Sequence, residues 1–320
     1  KSTHSQTARL EALAAISGVL IALQTRANGE LSTRLNNSLE AALISFGSGL
    51  IIIVIVAFFH AGMKQGIRNL QQAVASRKIA RWKLLAGTMG GSFVAIQTQI
   101  VPLMGVALYS VASIAGQTAV SLVVDRIGLT GGVRRPISLR RVAAALLTVL
   151  AVVISVLDRL NASNLSIIAV SGGCLAGALV GIRSALNGEI NEHSQQSFTT
   201  SLLNFITGTS LLMILMLGGM LLGKTHFTAL PAGPWWIYTG GVIGVIYIAF
   251  TSTIVQHLGV LTFTLFSVGG QLVGSLVIDL ISPTNGVNVS AYLVTGIVMT
   301  YLGVIAGGVS SSRVQKPKRL

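Results

Sequence analysis

Uncharged apolar runs of membrane-spanning length recur along the whole chain, separated by short polar breaks. One helix needs about 20 such residues to cross a bilayer core. The runs predict ten helices, over 12–28, 40–60, 84–101, 105–125, 142–158, 166–186, 198–222, 236–256, 259–281 and 290–309. The connections are short except for the basic stretch from Lys64 to Lys83, which reads either as a helix lying among the headgroups or as a solvated loop. The first run, Leu13 to Leu23, has no small-residue cleavage site and is followed at once by another span, so it reads as a retained helix. The expected fold is an all-α integral membrane protein with little room for a soluble domain.

The pattern repeats within the chain. Asn28-Gly29-Glu30-Leu31 corresponds to Asn187-Gly188-Glu189-Ile190, and Ser45, Phe46 and Gly49 to Asn204, Phe205 and Gly208, at a constant offset of 159. Further on the offset becomes 154: Trp82, Gly87 and Gly90 match Trp236, Gly241 and Gly244, while Gly116, Gln117 and Asp125 match Gly270, Gln271 and Asp279. Residues 1–160 therefore form one five-helix repeat and 161–320 a second. Five is odd, so the second half enters the membrane in the opposite sense, giving ten transmembrane helices as two inverted repeats.

Charge tests the inversion, because Lys and Arg in short loops collect on the cytoplasmic side. With the N-terminus inside, 17 of the 22 Lys and Arg fall on inner segments: two before the first helix, six over 64–83, five over 126–141 and four from Arg313 onward. Arg26, Arg34, Arg159 and Lys224 fall outside, and Arg183 within a helix. Both termini are therefore expected to be cytoplasmic. Only 9% of residues are charged, far below a soluble domain, so the net charge of +14 signals topology and contact with anionic membrane lipids, and no nucleic-acid partner is expected. The lone Cys174 excludes a disulfide framework within one chain.

The clearest polar constellation is a stripe, Ser113, Gln117, Ser121 and Asp125, repeated as Ser267, Gln271, Ser275 and Asp279. Spacing of four keeps all of its members on one slowly drifting helix face, and in a bilayer that face points inward. Gln117 would lie about 18 Å along its helix, near the midplane, and Asp125 about 30 Å along, at the interface. Inverted-repeat carriers bind substrate at the midplane, which nominates Gln117 and Gln271 as substrate ligands, with Ser113, Ser121, Ser267 and Ser275 around them. The alternative is that these side chains are packing glue beside Gly116 and Gly270, with Asp125 and Asp279 as simple helix-end charges.

A second constellation places Gln24 and Asn28 opposite Arg183 and Asn187. An Arg inside a helix suits an anionic ligand, but near a helix end it also snorkels to the interface. Asn28 and Asn187 are either cavity residues or helix-end residues ahead of Gly29 and Gly188. Trp82 and Trp236 sit where interfacial anchors belong. Paired His at metal spacing, a nucleophile elbow and a phosphate loop are all absent from the sequence, so no enzyme activity, metal or cofactor is expected.

The segments LIALQTRANGELSTRLNNSLEAALISFGSG and GQTAVSLVVDRIGL, with weaker copies VGIRSALNGEI and GQLVGSLVIDL, resemble the YdcZ branch of the drug/metabolite transporter superfamily. The resemblance covers nearly all of the chain and implies a ten-helix inverted-repeat fold with a central cavity, in a bacterial inner-membrane exporter. The sequence departs from the pattern by carrying Arg183 where the first half has Gln24. It also lacks an acidic residue in the middle of the first helix, of the kind proton-coupled multidrug relatives use. Any proton coupling would fall to Glu30, Glu189, Asp125 or Asp279. The expected function is a secondary carrier exporting a small polar or amphipathic solute by alternating access. Its rivals are a flippase for a lipid or lipid-linked sugar, and a membrane scaffold subunit without transport.

Overall fold

Two tight corners start the two halves. Asn36 turns left-handed at φ 52°, and the side chain of Asn37 then accepts from the amide of Glu40 at 3.1 Å, so one helix stops and the next starts within two residues. Gln195, at the repeat offset, turns the same way at φ 54°, and Gln196 caps Phe198. A computed structural model describes residues 4–129, 137–159, 167–258 and 260–313, without the side chains of 249–253, 255–258, 260–263 and 308–313. Its helices are α1 (His4–Leu35), α2 (Ser38–Phe59), α3 (Ala61–Ala75), α4 (Ala86–Met104), α5 (Val106–Ile127), α6 (Leu139–Ser155), α7 (Ile167–Ser194), α8 (Ser197–Leu221), α9 (Gly240–Leu258), α10 (Val260–Ile281) and α11 (Ala291–Arg313). Short 3-10 turns, Arg81–Leu85 and Trp235–Tyr238, precede α4 and α9 at equivalent places in the repeat.

Among the described residues α1, α2, α4 with its leading turn, α5, α7, α8 and α10 are long and apolar enough to cross a bilayer. The helices α6, α9 and α11 pack against these, α6 on α5 and α11, α9 on α1 and α2, and stand where the remaining three crossings are expected. The eleventh helix, α3, makes the first part of the basic stretch, up to Ala75, a helix on the surface of the bundle. It buries Met63, Gly66, Leu70 and Ala73, spaced three, four and three apart along one face, while its Lys and Arg remain exposed. That face docks on α7 and α8, where Thr199 donates to the carbonyl of Met63 at 3.0 Å and Asn69 to the carbonyl of Ser194 at 3.1 Å. Lys1, Arg134, Arg135, Lys316, Lys318 and Arg319, counted above among the inner-face charges, lie outside the described residues.

The halves interlock rather than sit side by side. The main partners of α1 are α10 and α9, and those of α7 are α5 and α4, each pair being the repeat image of the other. On the pseudo-two-fold axis α2 meets α8 and α6 meets α11. There the Phe46 and Phe205 rings meet at 5.4 Å, and each fills the space left by a glycine of the other half, Phe205 on Gly49 and Phe46 on Gly208. Large apolar side chains such as Ile51, Phe58, Leu146, Ile214 and Leu217 point out of the bundle, as the hydrocarbon of a bilayer requires.

Two helices run further than their apolar runs. The first was expected over 12–28 and spans His4–Leu35; the sixth crossing was expected to end at 186 and continues to Ser194. The polar residues that end the hydrophobic signal, Thr25, Asn28 and Ser32 in α1 and Glu189 and Ser194 in α7, are buried against neighbouring helices rather than leading into loops. Asn28 and Asn187 are therefore helix-interior residues and not helix ends.

Candidate functional site

Four glycines bring the helices of opposite halves into backbone contact. A Cβ on Gly18 or Gly270 would overlap a carbonyl across the α1–α10 crossing, that of Ser267 or Ala15. A Cβ on Gly177 or Gly116 would do the same across α7–α5, against Ser113 or Cys174. The small residues beside the polar stripe therefore do the packing that was one of its two readings.

The two copies of the stripe are in different environments. Ser267, Gln271, Ser275 and Asp279 are all buried, at 6, 6, 0 and 4% exposure, whereas in the first copy only Ser113 is, at 3%. Gln117, Ser121 and Asp125 remain partly exposed. The cause is how α5 crosses α10. At the Asp279 end the two helices meet: Ser110 and Ser275 share a 2.7 Å hydroxyl hydrogen bond, and the carboxylate of Asp279 accepts from the first two amides of α5, Val106 at 3.2 Å and Ala107 at 2.9 Å. Those amides need an outside partner because the residue before them is Gly105, at φ 82° and without a side chain to cap the helix. Arg159 clamps the same corner from the other side, donating to the carbonyls of Met104 and Leu103, both at 3.1 Å. Burial lowers the pKa of the Arg159 guanidinium from its ordinary value, and the charges of Asp158 and Asp279 oppose that shift. Arg26 adds a further tie, from α1 to the carbonyl of Ser282 at 3.0 Å.

At the opposite end the equivalent contacts are replaced by local ones. Ser121, the repeat image of Ser275, donates back to the carbonyl of Thr118 in its own helix, and Asp125, the image of Asp279, pairs with Arg141 of α6 at 2.5 Å. The image of Ser110 is Thr264, which is exposed while Ser110 is fully buried. Among the described residues, the crossing is thus tied across the halves at the Asp279 end, while at the Asp125 end Ser121 and Asp125 turn to partners in their own half.

Each half carries a polar cluster in the last two turns of its first helix, and inversion sets the two clusters toward opposite ends of the bundle. Asn28 donates to Gln97 at 3.1 Å and Gln97 to Thr25 at 3.2 Å, while across the axis Asn204 donates to Asn187 at 2.8 Å. Gln24 and Arg183 occupy equivalent places over glycines of the opposite half, Gln24 over Gly244 and Arg183 over Gly90. Gln24 donates to the carbonyl of Gly240 at 2.9 Å, and the Arg183 guanidinium lies 5.7 Å from the centre of the Phe93 ring. The Arg183 side chain is engaged inside the bundle, on Gly90 and Phe93. With α7 extended to Ser194 it stands 11 residues, about 16 Å, from that end.

Of the acidic residues, Glu30 pairs with Arg26 at 2.8 Å and Arg34 at 2.9 Å, and its repeat image Glu189 with Lys83 at 2.5 Å. Each pair sits beside a tryptophan that carries one of its bases, Arg26 over Trp236 and Lys83 over Trp82. Ser110, Tyr109, Phe93 and Gln97 have no place in the sequence reading, and Arg159 enters it only as an outer-face charge. The only signal for them was Gly105, a helix start without a cap, which demands a carboxylate from elsewhere.

A family model described as "Putative inner membrane exporter, YdcZ" matches the chain twice, over residues 10–154 and 168–306. The chain belongs to the YdcZ family. The two matched segments of this YdcZ family member correspond to its two five-helix halves, and it is a multi-pass inner-membrane protein of a family described as exporters. No curated protein matches it. A solved structure titled "Crystal structure of protein" is similar in fold, with TM-score 0.55 at 15% identity, covering 98% of this chain and all of its own.

Proposed function

We propose that this chain is a secondary carrier that exports a small polar or amphipathic solute by alternating access, with residues 1–160 and 161–320 as its two inverted repeats. The observation that carries this reading is the asymmetric α5–α10 crossing, where one sequence motif is engaged at the Asp279 end and released at the Asp125 end. Inverted repeats make the opposite arrangement available to the same chain, because exchanging the conformations of the halves closes one end as it opens the other. The charge distribution, with both termini cytoplasmic, makes the Asp279 end the outer one, so the present conformation faces inward. The solute would bind between Gln24 and Arg183, with Asn28 and Asn187 flanking toward the two ends and Gln117 and Gln271 reached as the crossing opens. Of the candidate proton carriers, Glu30, Glu189 and Asp125 are held by bases here and Asp279 by the helix start, so coupling would need these contacts to break during the cycle.

Cysteine pairs test the cycle without knowledge of the solute. In a Cys174→Ala background, Ser110→Cys with Ser275→Cys is expected to cross-link in the inward-facing state. The repeat-image pair, Ser121→Cys with Thr264→Cys, is expected to cross-link in the same membranes from the opposite state. Closing either pair should block formation of the other when all four cysteines are present. If the second pair never forms, or both form together, the crossing is a rigid joint and the scaffold alternative gains.

A further inference from the structure

A guanidinium inside a membrane protein costs several kcal/mol unless an opposite charge and hydrogen-bond acceptors meet it. Arg183 is in that position. Gly90 and Phe93 of α4 lie against it, Phe46 of α2 packs on the same glycine, and the hydroxyls of Tyr109 in α5 and Tyr247 in α9 are within electrostatic range. Groups from four helices therefore enclose it, yet Arg183 keeps partial accessibility while Phe46, Gly90 and Tyr109 are buried. Arg183 is thus reachable where its neighbours are not.

All eight Asp and Glu of the chain are described, and none ion-pairs with Arg183. Glu30, Asp125 and Glu189 are taken by other bases, and Asp279 holds the start of α5. Nor does the fold require a charge at this place, because the repeat image, Gln24, fills it as a neutral donor to a backbone carbonyl. A second donor stands nearby: the Tyr109 hydroxyl is buried without a hydrogen bond of good geometry, although Gln97 and Ser113 are beside it. A guanidinium beside a phenylalanine ring, with no acidic partner and with a buried tyrosine hydroxyl in electrostatic range, calls for a negatively charged acceptor.

We infer that Arg183 and Tyr109, backed by the Phe93 ring, form the recognition site for the anionic group of the solute, a small organic carboxylate or phosphate with an apolar body. The inference rests on the carrier reading and names its substrate class. The planar guanidinium fork gives two parallel N–H donors to a carboxylate or phosphate, and Phe93 and Phe46 offer apolar surface to the rest of the molecule. The same chemistry would be met by a free anion or by the headgroup of an anionic lipid.

The test is thermal unfolding of the purified full-length chain in detergent. Phenylacetate and phenyl phosphate are the probes, with phenylacetamide and phenethylamine as neutral and cationic counterparts and phosphatidylglycerol against phosphatidylcholine as the lipid arm. The two small anions are expected to stabilise the protein saturably and the amide and amine not to. Arg183→Gln, which restores the residue that the first half already accommodates, should weaken anion binding at least about tenfold, as loss of a charged bidentate contact implies. Gly90→Ala keeps the charge but places a Cβ 2.9 Å from Arg183 Nη1, and should weaken the anions through displacement of the guanidinium. The inference is overturned if neither anion stabilises the protein, if amide or amine does as well, or if Arg183→Gln binds the anions like wild type. Stabilisation by phosphatidylglycerol alone, lost in Arg183→Gln, overturns the free anion in favour of a lipid headgroup. The cysteine pairs are read without ligand, so their success beside a failure here removes the substrate class and leaves the carrier.

Discussion

Gly177→Leu is expected to yield no folded protein, and Gly177→Ala to destabilise it by about 3 kcal/mol, the upper part of the usual range for overpacking. Gly47→Ala and Gly188→Ala should be neutral or slightly stabilising. Detergent-solubilised material separates these outcomes by its size-exclusion profile and its unfolding temperature. The atom in the way of a Cβ at position 177 is the backbone carbonyl oxygen of Ser113, which no rotamer change can remove. The α5–α7 crossing would have to widen over several turns, and with it the Gly116 contact on Cys174. Association of helices in a bilayer depends on such close packing, since apolar burial gives no preference for protein over lipid. Around Gly47 and Gly188 nothing lies within 4 Å of an added Cβ, so alanine gains helix propensity of up to about 1 kcal/mol at no steric cost. Equal damage at Gly47 and Gly177 would mean that the crossing is not where these contacts put it. The same contrast is expected in the other half for Gly18, whose Cβ would overlap the carbonyl of Ser267.

What could be read from the sequence follows from what the bilayer enforces. Ten crossings, the inverted repeat and the buried face of Ser113 and Ser267 all follow from apolar length and four-residue spacing, because lipid punishes every misplaced polar group. The ends of α1 and α7 were misjudged for the converse reason: Thr25, Asn28 and Glu189 are polar but find partners inside the protein, where hydropathy does not look. The stripe is legible in the sequence and its division of labour is not. Nothing in S-x3-Q-x3-S-x3-D distinguishes a carboxylate that caps another helix, Asp279, from one paired with a nearby Arg, Asp125, because the two sequences are the same and only the crossing differs. Arg183 stands out in the sequence as an exception to the repeat, but its depth depends on eight residues of helix beyond the predicted end.

Asp279→Ala is expected to shift the protein away from the present conformation by about tenfold, toward one open at the Asp279 end, and Asp125→Ala to shift it the other way by less. A side chain that caps a helix start contributes about 1 kcal/mol, up to about 2 where it satisfies its amides well. Asp279 meets two amides that Gly105 leaves bare, and it meets them only while α5 touches α10. A contribution present in one state and absent in the other moves the equilibrium between them by its full amount, and 1.4 kcal/mol is a factor of about ten. In the opposite state Asp125 would cap the start of α10, but it must first leave Arg141, which holds it here at 2.5 Å, so its net contribution is the smaller difference of two favourable contacts. The measurement is the labelling rate of single cysteines, in a Cys174→Ala background, by a maleimide that cannot cross membranes. Ser110→Cys should label about ten times faster with Asp279→Ala, since Ser110 is fully buried only while that end is closed. Ser121→Cys should become protected in the same variant. Unchanged rates at both positions would make Asp279 a fixed cap, and the asymmetry of the crossing would then belong to the resting architecture of the bundle and not to a transport cycle.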